Sequence, residues 1–250
     1  MIFHTFGDQK NKVILLIHGM LTPWQIWEDV ASHFSKDYYV VVPELDGHTG
    51  DATSQFLSVE SEAEQIREYA LQNFNGKIHG LCGLSMGGRI AAVLAGMEGV
   101  KIQYLVLDGA PLATIPGFLR NIMKKNYLSI IDKSRQRDPK VIENCKRVFL
   151  PERYLENFLK IADHIEEQSV KNIIDSVFSS FAYKIYDCDM KILFMHGTKG
   201  NEMVSRKAAV KMKKANPQTE IRCFKGYAHA QLACFEINKW IKEVSGFIES

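Results

Sequence analysis

Short, nearly continuous apolar runs recur along the chain, and between them the apolar positions fall three or four residues apart. The runs at residues 13–17, 38–42, 78–84, 102–107, 192–195 and 220–224 predict strands. Strands without polar alternation are apolar on both faces, which suits a parallel sheet covered by helices on each side. Residues 25–34, 59–74, 87–97, 205–215 and 233–247 predict helices; in the second of these, Ala63, Ile66, Ala70 and Leu71 mark the buried face. Strand followed by helix, repeated, predicts an α/β domain built on a mostly parallel, doubly wound sheet with flanking helices.

One region breaks this rhythm. Residues 112–187 show no strand pattern, and 118–127, 141–149, 151–164 and 166–178 read as helices. They predict a helical cap inserted into a core of residues 1–111 and 188–250. Insertions at the loop end of a sheet are placed to shape a binding site. The insertion is basic near its start, with Arg120, Lys124, Lys125, Lys133, Arg135 and Arg137. A solvated helix face accounts for such a run; attraction of an anionic substrate is the sharper reading.

Composition narrows the picture. A chain of 250 residues with a formal net charge of +2 fits one large domain and carries no global field toward nucleic acid or an anionic membrane. No apolar run is long enough to span a bilayer, and the first residues lack the pattern of a signal peptide. The cysteines, Cys82, Cys145, Cys188, Cys223 and Cys234, are odd in number and contain no Cys-x-x-Cys pair, so zinc or dithiol chemistry is not indicated and a reducing cytoplasm is expected. Oligomeric state leaves no mark in the sequence.

The chemistry centres on Gly83-Leu84-Ser85-Met86-Gly87-Gly88, which lies between an apolar run and a helix of small residues. A serine at a sharp strand-to-helix turn needs small neighbours two positions away, and its turn lifts it above the C-terminal edge of the sheet. The helix N-terminus there favours a developing oxyanion. With Leu16-Ile17-His18-Gly19-Met20, Pro43-Glu44-Leu45-Asp46-Gly47-His48 and Gly226-Tyr227-Ala228-His229 in the same order, the chain resembles the α/β-hydrolase family. The resemblance covers nearly everything outside the insertion.

A serine hydroxyl needs a base, and His229, in a loop after the last strand, holds that place among the eight histidines. His18 is read as shaping the oxyanion loop, and His48 and His196 as structural. The resemblance implies an acid near Gly200, where no aspartate stands. Glu202 is put slightly ahead as that acid, with Asp108, ending the preceding strand, as the alternative. Asp187 and Asp189 precede their strand and belong at the opposite edge. The resemblance places the oxyanion donors on the backbones of Met20 and Met86, and Trp24 is a candidate for the pocket mouth.

The implied activity is hydrolysis of a carboxylic ester or thioester through an acyl-enzyme, with a small-molecule substrate and neither metal nor organic cofactor. Two other classes stay open. The stretch from Ser85 to Arg89 resembles a menaquinone-pathway C–C lyase of the same fold, in which Arg89 would meet an anionic substrate. A non-catalytic ligand-binding member of the fold is the third.

Overall fold

The computed structural model describes residues 1–50, 54–200 and 202–249. Among them, seven strands form one sheet: β1 (Ile2–Phe6), β2 (Val13–Ile17), β3 (Tyr39–Glu44), β4 (Lys77–Leu84), β5 (Lys101–Asp108), β6 (Lys191–His196) and β7 (Thr219–Cys223), in the order β1-β3-β2-β4-β5-β6-β7. All neighbours are parallel except β1, which runs antiparallel to β3 with Ile2 opposite Glu44. The six parallel strands follow the apolar runs to within a few residues. β1 is the strand that the pattern misses: it lies at the edge, half exposed, and has no buried run to mark it.

Helices α1 (Glu28–Phe34), α2 (Val59–Phe74) and α3 (Met86–Leu94) follow β2, β3 and β4 in turn. The central strands are wholly excluded from water at Ile14, Leu15, Leu16, Leu81 and Leu105. Truncating any one of them to alanine should cost roughly 2–5 kcal/mol.

Between β5 and β6 come α4 (Gly117–Arg135), α5 (Pro139–Val148), α6 (Leu155–His164) and α7 (Glu167–Val177). Helix α4 extends eight residues beyond the expected end at Tyr127, because Ile131 and Ser134 continue its buried face between solvated lysines and arginines. α7 is stitched to the start of α2 and the segment before it: Phe56 N–H donates to Ser169 Oγ (3.1 Å) and Val59 N–H to Ser176 Oγ (2.7 Å).

The chain closes with α8 (Glu202–Ala215), α9 (Gln231–Phe235) and α10 (Ile237–Ile248). The pattern joins the last two into one helix; the chain breaks it at Glu236, whose φ of −125° and ψ of 50° are not helical. Trp240 of α10 packs its ring 4.9 Å from that of Trp27. No helix among the described residues is long and apolar enough to cross a membrane.

Leu84 pairs with Asp108, and Asp108 with Met195. The turn after β4, the end of β5 and the loop after β6 therefore sit side by side at the C-terminal edge, where open parallel sheets bind ligands.

Candidate active site

Ser85 occupies the turn between β4 and α3 with φ 54° and ψ −116°, a conformation that residues with a side chain seldom adopt. Its backbone N–H donates to the Asp108 carbonyl at 2.7 Å, which pins the turn to β5. The neighbouring glycines are sterically required. A Cβ on Gly83 would lie 2.3 Å from the Gly87 carbonyl oxygen, and one on Gly87 2.3 Å from that of Ile17.

His229 is brought to Ser85 by a loop pinned from below. The Tyr227 carbonyl accepts from both Thr198 N–H and Lys199 N–H at 2.9 Å, and Gly226 N–H donates to Thr198 Oγ1 at 2.8 Å. These bonds tie the loop after β7 to the loop after β6, and so tie His229 to Glu202. The Ser85 hydroxyl donates to His229 Nε2 at 2.8 Å. His229 Nδ1–H donates to Glu202 Oε1. Glu202, buried as the first residue of α8, accepts on its other oxygen from Gly197 N–H at 2.7 Å. Asn201 lies outside the described residues.

Asp108 is also buried here, but its carboxylate turns to α10, where Trp240 Nε1–H donates to Oδ2 at 3.0 Å. Burial, then the nearby Glu202 charge, pushes its pKa up to about 7, against the opposing pull of His229 and the Trp240 bond. Gly109, next in the chain, packs on the imidazole: a Cβ there would lie 2.9 Å from His229 Cε1. Asp187 and Asp189 border a hollow of about 500 Å³ at the other edge of the sheet, among Lys12, Lys77 and Lys101 and far from any of these groups.

Met20 and Met86 both face the cavity at Ser85. As the first residue of α3, Met86 has an amide with no intrahelical acceptor. The loop around Met20 is fixed by two buried histidines. Leu21, at φ 58°, donates its N–H to His48 Nε2 at 3.0 Å, and Leu45 N–H donates to His18 Nε2 at 3.1 Å. Burial holds both imidazoles neutral, with pKa lowered to about 3 for His18 and about 4 for His48, so both remain acceptors. His196 Nδ1–H donates to the Gly197 carbonyl, a structural contact.

The cavity over Ser85 measures about 250 Å³. Ile115, Met123 and Tyr127 wall it from α4 and its approach, and Ile173, Ile174, Val177 and Phe178 from α7 and its end. No Lys, Arg, Asp or Glu among the described residues lines it. The expected Trp24 is absent from this wall, because its ring stacks on His4 of β1 at 3.7 Å; the strand that the pattern misses is what holds it away. Arg89 is absent as well. It is buried under the insertion, donating from Nη2 to Ser179 Oγ and the Ser180 carbonyl at 3.0 Å, with its guanidinium 5.0 Å from the Phe181 ring.

A family model described as alpha/beta hydrolase fold matches residues 12–233. Monoacylglycerol lipase abhd6-A of Xenopus laevis is 28% identical over 105 residues, which are 40% of this chain and 31% of that protein. An alpha/beta hydrolase family protein from Desulfitobacterium hafniense superimposes with a TM-score of 0.79 at 22% identity, covering 99% of this chain and 100% of the other. A thermophilic esterase from Thermogutta terrifontis does so at 0.73 and 17%, covering 99% and 92%. These structural likenesses show the fold. The match spans less than half the length of the lipase.

Proposed function

The chain belongs to the alpha/beta hydrolase fold family, and on that premise we propose that it is a serine hydrolase cleaving a carboxylic ester or thioester with a neutral, apolar acyl group. The observation that carries this reading is the relay from the Ser85 hydroxyl through His229 to Glu202 at the floor of an uncharged cavity.

In the proposed reaction His229 Nε2 takes the hydroxyl proton as Ser85 Oγ attacks the carbonyl carbon. Glu202 keeps Nδ1 protonated and stabilises the imidazolium. The amides of Met20 and Met86 receive the oxyanion. The tetrahedral species expels the alcohol or thiol, which leaves with the proton from His229. Water then attacks the acyl-enzyme by the same route, giving the acid and restoring Ser85.

Against the lyase alternative, Arg89 is engaged with residues 179–180 and is absent from the cavity wall, so it offers an anionic substrate no contact there. The cap assignment gains support from the cavity wall, much of which comes from α4 and α7.

Two measurements test this. A fluorophosphonate should label Ser85, and Ser85→Ala should lose about 10⁶-fold in kcat. Turnover of p-nitrophenyl esters should rise with acyl length while the chain fits the apolar cavity and fall once it outgrows it. Absence of both labelling and turnover would favour a ligand-binding member of the fold.

A further inference from the structure

We infer that α4 and α5 form a docking surface for an anionic lipid surface, next to the mouth of the cavity. The small global charge conceals a local one. Residues 117–148 contain nine basic and three acidic side chains, a net of +6 against +2 for the whole chain. The same segment holds five of the eleven large apolar side chains exposed among the described residues: Phe118, Leu119, Ile122, Ile130 and Val148.

At the start of α4 these become a patch. Successive helix residues turn by about 100°, which puts Phe118, Leu119 and Ile122 within one quadrant or so of the helix surface. Phe118 is 67% exposed and Ile122 51%. Met123, next around the same helix, lines the cavity, as does Ile115 just before it. The apolar wall therefore continues outward onto the surface. Around the patch the basic side chains divide in two. Arg120 and Lys124 are engaged with Asp175, Arg135 with Asp132, Arg137 with Asp163 and Lys146 with Glu152. Lys125 and Lys133 are exposed and stand outside these pairs.

Exposed apolar side chains flanked by lysines are the pattern of a helix lying in a headgroup layer, its apolar face dipped into the acyl boundary. A second copy of the chain is the poorer occupant, because it would bring two basic arms together. A surface of anionic headgroups supplies the opposite charge and demands no shape complementarity.

Vesicle flotation tests this without turnover, so it stands or falls apart from the hydrolase reading. The full chain should float with phosphatidylcholine vesicles containing phosphatidylglycerol, scarcely with phosphatidylcholine alone, and come off as salt is raised. Each lysine removed should weaken partition roughly fivefold. Lys125→Glu with Lys133→Glu should therefore abolish most of it, and Phe118→Ser with Ile122→Ser should do the same. All four positions are exposed and lie off the cavity wall, and an unchanged melting curve by circular dichroism establishes that each variant folds. Failure of the native chain to bind anionic vesicles would overturn the proposal, as would binding that is indifferent to salt and lipid charge. A dimer in solution that the Phe118/Ile122 variant dissolves, with no vesicle binding, would assign the patch to a second copy instead. Should a variant fail to fold, the native chain's lipid and salt dependence still decides.

Discussion

Asp108 and Glu202 are carboxylates buried at the same edge of one sheet, within reach of the same imidazole's field, yet they are held in opposite ways. Glu202 accepts from an N–H on each oxygen, one from His229 and one from the Gly197 backbone. Asp108 has the indole of Trp240 as its hydrogen-bond donor, and burial with the Glu202 charge lifts its pKa to about 7. Two like charges in one buried site are costly, and Asp108, buried beside Glu202, holds its proton more tightly than a free aspartate does. In the proposed relay, position at the end of a strand is therefore not enough for the acid: the candidate is the carboxylate that accepts from His229 and is held by the Gly197 amide.

The sharpest way to break this comparison is to exchange the two roles. Glu202→Ala should lower kcat by about 10⁴-fold, since the imidazole loses both its tautomer and its counter-charge. Asp108→Asn keeps an oxygen for Trp240 and should leave kcat within about threefold, well inside the range of an effect that acts only through the local field. Steady-state kinetics on one soluble ester measures both. If Asp108→Asn were the crippled variant and Glu202→Ala the active one, the acid would be Asp108 and the proposed relay would be wrong.

A smaller effect sharpens the geometry between them. Gly109 has φ +60° and no room for a side chain beside His229. Gly109→Ala should push the ring off its line to Ser85 and cost about 10²-fold in kcat, the usual penalty for misplacement by about 1 Å. KM on a soluble ester should change little. An equal rise in KM would mean that the cavity, rather than the base, had moved.

The sheet and its insertion differ sharply in how much of each is legible in the sequence. The parallel strands were legible because burial on both faces writes itself as an unbroken apolar run, as in Val13–Ile17. That Ser85 and His229 meet was legible because steric necessity and chain order mark them: Gly83 and Gly87 can be nothing larger. β1 was not, because an edge strand is half exposed; with it went the true environment of Trp24, which stacks on His4. Which of Glu202 and Asp108 touches His229 depends on the bonds that Thr198 and Lys199 make to the Tyr227 carbonyl, contacts between loops far apart in sequence. The cavity wall was equally hidden. Ile173 and Val177 read as one face of an amphipathic helix, and only the placement of α7 decides whether that face meets the sheet or a substrate.

The mildest test separates the two carboxylates by stability instead of rate. The pKa of Asp108 rises from 3.8 to about 7 on folding, through burial first and the Glu202 charge second. Below about pH 4 the group is neutral in both states and costs nothing. Between about 4 and 7 the unfolded chain has released the proton that the folded chain still holds, so stability falls as pH rises, and above about 7 the loss levels off. The amide introduced by Asp108→Asn cannot ionise. The difference in unfolding free energy between that variant and the native chain should therefore grow in the variant's favour from pH 4 to pH 7, by up to a few kcal/mol. Glu62, raised to about 8 chiefly by its own burial, tilts both curves the same way and cancels in the difference. Urea unfolding at pH 4, 5.5 and 7 measures it. A difference that stayed flat across the range would mean that Asp108 sheds its proton on the same terms folded and unfolded, and the division of labour with Glu202 would then have to rest on hydrogen-bond geometry alone.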